Sequence, residues 1–139
     1  MQTGRKMKTP KIFLSYATAD RRLASAIAKG LTRAGFDVID SFQLGDGAQW
    51  GASMRSALAS SGLFVAFVSD SSHVLAELGA ARAHNTPILG ILPDRARMAL
   101  DAPYRALSQW RLIDAAATTP SGMVRQIAEA ARSPKLESA

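Results

Sequence analysis

Leu63-Phe64-Val65-Ala66-Phe67-Val68-Ser69 is the stretch on which the fold turns. Six apolar residues in succession leave neither face of an extended strand for water. Such a strand belongs in the middle of a parallel sheet, with helices on both sides. Downstream, residues 87–92 carry the same apolar character up to Pro93, and residues 11–16, Lys11-Ile12-Phe13-Leu14-Ser15-Tyr16, do so upstream. Between the strands the apolar period changes. Leu23, Ile27 and Leu31 recur at helical spacing behind Asp20, read as an N-cap, and ahead of Gly35, read as a C′ glycine. Residues 36–40 form a second strand, and 41–49 a polar loop marked by Gly45 and Gly47. Trp50, Met54, Ala57 and Leu58 mark a second helix, 72–83 a third, and 121–132 a last one. A short helix over 95–100 and an edge strand over 110–113 complete the reading.

Strands alternating with helices are βαβ units, and βαβ units build a parallel sheet. The expected fold is therefore α/β: a flavodoxin-like three-layer sandwich around a central five-stranded parallel sheet of order 2-1-3-4-5. Its ligand crevice lies at the carboxyl ends of strands one and three, at Ser15-Tyr16 and Ser69-Asp70.

With 139 residues, 47% of them apolar, one domain over 11–133 is expected, with a disordered basic leader at 1–10 and a disordered tail at 134–139. The chain has no cysteine, so disulfides, thiolate catalysis and cysteine-held zinc are excluded. No apolar run approaches the roughly 20 residues a membrane helix needs, and 1–10 lacks the apolar core of a secretory signal. A cytoplasmic location is expected, without a membrane partner. The net charge of +6 favours anionic partners, but the basic residues are scattered along the chain and few aromatics accompany them. Nucleic acid is not an expected partner on that pattern.

Several occupants of the crevice can be dismissed. There is no G-x-G-x-x-G after the first strand, no G-x-x-x-x-G-K-[ST], and no acid cluster at Ser15-Tyr16-Ala17. His73 and His84 stand too far apart to share a helix turn, so no metal site is expected. Glu77 is different. In His73-Val74-Leu75-Ala76-Glu77-Leu78-Gly79-Ala80-Ala81 its helical neighbours Val74, Ala80 and Ala81 are apolar. A carboxylate so placed loses solvation, and its pKa rises unless a partner compensates. The plainer alternative is a helix-edge glutamate paired with Arg82 or Arg21. His73, one turn earlier, can face the same crevice. A ring and a carboxylate on one wall suit a flat heterocycle joined to a hydroxylated sugar.

Taken in order, these segments resemble a known family. Phe13-Leu14-Ser15-Tyr16 followed by Asp20 resembles the first box of Toll/interleukin-1 receptor (TIR) domains. Gly35-Phe36-Asp37-Val38-Ile39-Asp40 resembles the family's second strand, and Leu44, Gly47 and Trp50 match the bacterial form of the loop and helix that follow. Residues 63–69 resemble the third strand, 72–79 the helix that carries the glutamate of TIR NAD⁺ hydrolases, and Pro87-Ile88-Leu89 the fourth strand.

The resemblance implies cleavage of the nicotinamide–ribose bond of NAD⁺, as substrate rather than cofactor. The products would be nicotinamide and either ADP-ribose or a cyclic ADP-ribose. It implies Glu77 as catalytic residue, with Phe13, Ser15, Tyr16, Ser41, Leu44, Gly47, Trp50 and His73 binding substrate. It also implies TIR–TIR self-association, a separate sensor or effector protein, and a place in bacterial antiphage defence or in virulence. Two positions depart from the family. Many enzymatic members carry Trp where this chain has His73, and the Phe-Trp box of animal members near the last helix is missing, which points to a bacterial type. The competing readings are a non-catalytic TIR interaction module, favoured by His73, and a nucleoside deoxyribosyltransferase with a nucleophilic glutamate.

Overall fold

The computed structural model describes residues 11–44, 47–93 and 111–132. Five strands, β1 (Lys11–Ser15), β2 (Val38–Asp40), β3 (Ser61–Phe67), β4 (Ile88–Leu92) and β5 (Leu112–Asp114), form one parallel sheet of order β2-β1-β3-β4-β5. Helices α1 (Arg21–Arg33), α2 (Trp50–Ser60), α3 (Ser72–Ala83) and α4 (Pro120–Arg132) cover it. The expected class and strand order are those observed.

Strand alternation sorts the core into two layers. Ile12, Leu14, Leu63, Val65, Phe67, Leu89 and Ile91 face α1 and α4, where they meet Ile27, Leu31, Met123 and Ile127. Phe13, Phe64, Ala66, Val68 and Ile88 face α2 and α3, against Met54, Leu58, Leu78 and Ala81. The central strands are apolar on both parities because both parities are buried. Gly30 lets α1 and α4 close on each other: a Cβ there would lie 2.6 Å from Val124 Cγ2.

Two helices end in the same way. At α1, Phe36 N–H bonds to Leu31 O and Gly35 N–H to Thr32 O, with Gly35 at φ +98°. At α3, Thr86 N–H bonds to Ala81 O and Asn85 N–H to Arg82 O, with Asn85 at φ 62°. Both are Schellman stops, and both turn the chain directly into the next strand.

Some boundaries differ from expectation. Asp20 occupies the position before α1, but its side chain does not cap the helix. A short 3-10 turn, Thr18–Asp20, leads in instead, with Asp20 N–H bonded to Ala17 O, and Asp20 is buried. β3 begins at Ser61, two residues early, because α2 runs straight into it and the Ser60 and Ser61 hydroxyls both donate to Ala57 O. The polar loop over 41–49 contains two 3-10 turns, Ser41–Leu44 and Gly47–Gln49. β5 spans Leu112–Asp114, one residue beyond the expected end at 113, and the Asp114 carboxylate accepts from Ala116 N–H in the turn that follows. The expected leader, tail and helix over 95–100 lie outside the described residues, as does Trp110. Among the described residues no helix is long and apolar enough to cross a membrane.

Candidate functional site

β1 and β2 end side by side, and alternation divides their last residues between the two layers. Ser15, in register with Ala66, shares the α2/α3 face with Phe13, while Tyr16 turns to the α1 face. At the end of β2, Ser41 reaches the α3 side and Asp40 the Tyr16 side.

On α3, the buried stripe is Val74, Glu77, Leu78 and Ala81, the i, i+3, i+4, i+7 pattern of a core-facing helix surface. One of its four positions is a carboxylate. Glu77 is only 3% exposed. Its Oε1 accepts a 2.6 Å hydrogen bond from Ser15 Oγ and lies 3.7 Å from His73 Nε2. His73 Nε2 is in turn 3.4 Å from Ser41 Oγ. Burial pushes the Glu77 carboxyl above its ordinary value. The Ser15 hydroxyl, the His73 charge and the Ser41 hydroxyl oppose that shift, and the Asp40 charge adds to it.

A cavity of about 600 Å³ opens onto this carboxylate. Its walls are Ser41, Phe42, Trp50, Ser72, His73, Ala76 and Glu77. Phe42 stands at its mouth, its ring centroid 4.7 Å from that of His73 and 5.0 Å from that of Tyr16, with the Arg21 guanidinium 5.3 Å from its centre. On the far side of Phe42, Tyr16 donates a 2.7 Å hydrogen bond to Asp40 Oδ2, and Phe42 N–H donates to Asp40 Oδ1. Burial raises the Tyr16 phenol to about 12, and the hydrogen bond to Asp40 and the Asp40 charge add to that shift against the opposing charge of Arg21. Tyr16 is therefore a neutral donor at working pH, not a base.

Of the residues expected at the site, Ser41, Trp50, His73 and Glu77 line the cavity, and Ser15 holds Glu77 from behind. Tyr16 faces the neighbouring groove. Phe13 is fully buried and stacked on Phe64 at 5.1 Å, because its parity sends it into the core beneath α2 and α3. Leu44 packs against that same core. Gly47 is exposed, at φ +83°, and supplies a turn. At the end of β3, Ser69 accepts from Ser71 N–H and does not line the cavity. Phe42, Ser72 and Ala76 also line the cavity, and no sequence motif singles them out. Phe42 alone left a trace in the sequence: a large aromatic in a polar loop, two residues after an aspartate able to fold that loop back on itself.

A second groove, of about 1100 Å³, lies elsewhere, between α1 and α4. Among the described residues no carboxylate, thiol or imidazole lines it, whereas the smaller cavity holds both a carboxylate and an imidazole. No group of three His, Cys, Asp or Glu able to hold a metal ion occurs among the described residues.

A parallel sheet of this order, with a buried helical glutamate under the ends of β1 and β2, now has a family. The TIR domain profile matches residues 12–128, and the chain belongs to the TIR domain family. Among solved structures, the chain is similar in fold to the CMP N-glycosidase BcmB of Clostridium botulinum, with a TM-score of 0.63 and 17% identity. That match covers 84% of this chain and 96% of the other. No curated protein matches significantly.

Proposed function

We propose that this TIR domain cleaves an N-glycosidic bond of a nucleotide, the nicotinamide–ribose bond of NAD⁺ in first place, with Glu77 as the catalytic carboxylate. The observation that carries the reading is a carboxylate on the core-facing stripe of α3 that nevertheless opens onto a cavity walled by three rings, Phe42, Trp50 and His73. A helix does not place a carboxylate on such a stripe for stability, since burial of the charged form costs free energy. The rings suit a flat base, and the carboxylate suits the sugar beside it.

In NAD⁺ the leaving nitrogen is cationic. When the C1′–N bond breaks, its electron pair stays with nicotinamide, which departs neutral without a proton. The ribose left behind develops oxocarbenium charge. Glu77, ionised in the presence of the cationic substrate, stabilises that charge at close range. Water then bonds to C1′ and gives up a proton, or an adenine nitrogen of the same substrate closes a ring.

A second reading has its own support. The fold likeness is to a glycosidase acting on CMP, and His73 stands where many NAD⁺-cleaving members carry Trp. Cytosine is a neutral base and leaves more readily if protonated. The His73–Glu77 pair, 3.7 Å apart, can hold the required proton.

The setting we propose, on the family resemblance, is cytoplasmic bacterial antiphage defence, with TIR–TIR self-association and a separate sensor protein. The experiment is incubation of dilute and concentrated protein with NAD⁺ or CMP, with products separated by mass. Nicotinamide released by the wild type and not by Glu77→Gln is the expected result. Cytosine release alone moves the assignment to the second reading. Activity retained in a folded Glu77→Gln protein removes Glu77 from the chemistry, and no release in any assembly leaves a TIR interaction module.

A further inference from the structure

Of the 17 basic residues scattered along the sequence, four lie on the single helix α1. Arg22, Lys29 and Arg33 are exposed on α1, at spacings of seven and four that keep them on one face. No ion pair among the described residues engages any of the three. Arg21 begins the same helix, turned toward the neighbouring groove. All four line the groove between α1 and α4, together with the hydroxyl-bearing residues Ser25 and Ser121, and no acidic residue lines it among the described residues.

We propose that this ridge and groove bind the phosphate backbone of single-stranded nucleic acid. Three features favour that occupant. The cations from Arg22 to Arg33 extend along about 16 Å of helix, which suits a chain of phosphates better than one phosphate, for which cations would converge on a point. The surface is a groove, and a charged groove that tracks a backbone is the usual form of a single-strand site. An exposed aromatic sits beside the ridge: Arg21, Lys29 and Arg33 also line the neighbouring groove, which holds Tyr16 and the Phe42 ring. Bases can stack there. Asp40 shares that second groove, but its carboxylate oxygens are engaged by Tyr16 and by Phe42 N–H.

Other occupants fit less well. A second copy placed symmetrically on this face would set like charges against each other. An anionic bilayer would be met by apolar side chains beside the cations, and Phe42 is the one large apolar side chain exposed among the described residues.

The test is fluorescence anisotropy of a labelled, mixed-sequence single strand of about 15 nucleotides, titrated with the full chain between about 50 and 200 mM salt. Binding that weakens linearly in log salt is expected. The combined variant Arg22→Gln/Lys29→Gln/Arg33→Gln should bind roughly tenfold or more weakly, with a salt slope shallower by about 2, since each phosphate contact on a single strand contributes about 0.7. Melting curves confirm that the variants fold. Arg55→Gln/Arg82→Gln/Arg111→Gln, with the same change in charge, should bind like the wild type. An equal loss in that control, no binding at low salt, or a loss confined to Arg5→Gln/Lys6→Gln/Lys8→Gln overturns the proposal. So does binding to phosphatidylserine vesicles in preference to the oligonucleotide. Nicotinamide release is followed in the same proteins. Arg22, Lys29 and Arg33 do not line the Glu77 cavity, so either reading can fail without the other.

Discussion

Ser15 Oγ donates a 2.6 Å hydrogen bond to Glu77 Oε1, joining the end of the first strand to the middle of the third helix across 62 residues. That bond gives a buried carboxylate a partner without giving it a countercharge. Ionisation of Glu77 is consequently tolerated rather than favoured by the fold.

The first prediction follows from the sign of that balance. A carboxyl whose folded pKa is raised above its unfolded value binds more protons in the native state between the two values, so stability falls as pH rises through the folded pKa. Glu77→Gln removes the ionisation and keeps an oxygen able to accept from Ser15. The variant should melt above the wild type at neutral and alkaline pH. The difference should shrink as pH falls toward the ordinary carboxylate range, where wild-type Glu77 is protonated too. Calorimetry across pH reads this directly. A variant that is less stable at neutral pH would mean that the charged carboxylate stabilises the fold.

Ser15→Ala tests the same contact from the other side. Ser15 is fully buried, and its loss leaves Glu77 with fewer donors. The expected cost is about 1–3 kcal/mol, the range for a buried charged acceptor left short of a partner. The Ser15 bond opposes the burial effect, so removing it moves the Glu77 pKa further upward. If glycosidic cleavage needs the ionised form, the acid limb of the pH–rate profile should shift to higher pH in Ser15→Ala. An unchanged limb with lowered stability would confine Ser15 to a structural role.

Tyr16 makes the complementary contact on the other face of the sheet. Its phenol is held neutral to about 12, so the stability this provides is complete below the ordinary phenol range near 10 and is lost as pH climbs through about 12. The chain has two tyrosines, and Tyr104→Phe isolates one of them. In that background, ultraviolet titration should show no tyrosinate at pH 10 while the protein stays folded. Tyr16→Phe, by loss of the bond to Asp40, should cost about 1–2 kcal/mol in chemical denaturation. A normal titration near pH 10 would show that the phenol is solvated.

Much of this arrangement was legible in the sequence. Val74, Leu78 and Ala81 mark the inner face of α3 and fix its extent, and Glu77 stands out as the one charge on that stripe. The central strands announced themselves by apolar residues on both parities. Other features depend on contacts between distant segments, and no local pattern encodes them. Phe13 and Ser15 share one face of β1 and both are buried, yet one is core and the other touches Glu77, because the layer above β1 is apolar in its middle and carries a carboxylate at the strand's end. Leu44 and Gly47 belong to the correct loop, but a short helical turn directs Leu44 inward and leaves Phe42 facing the cavity. The cations of α1 lie several residues apart in the chain, and only the helical repeat sets them in a row.

Phe42 gives the last prediction. It is 37% exposed, lies over His73 and Tyr16, and forms one wall of the cavity above Glu77. Truncation to alanine removes a ring that is partly in water already, so the cost to stability should stay near 1 kcal/mol, well below that of emptying a core position. If the ring stacks on the base of the substrate, Phe42→Ala should raise KM roughly tenfold or more, the loss of about 1–3 kcal/mol of stacking. Phe42→Trp should recover binding, and Phe42→Leu should recover only the part that does not depend on a flat ring. If the ring instead shields the cavity from the substrate, truncation should lower KM. Steady-state kinetics on the three variants separates a stacking wall from an obstruction, because the two roles move KM in opposite directions while Glu77, His73 and Ser15 keep their positions.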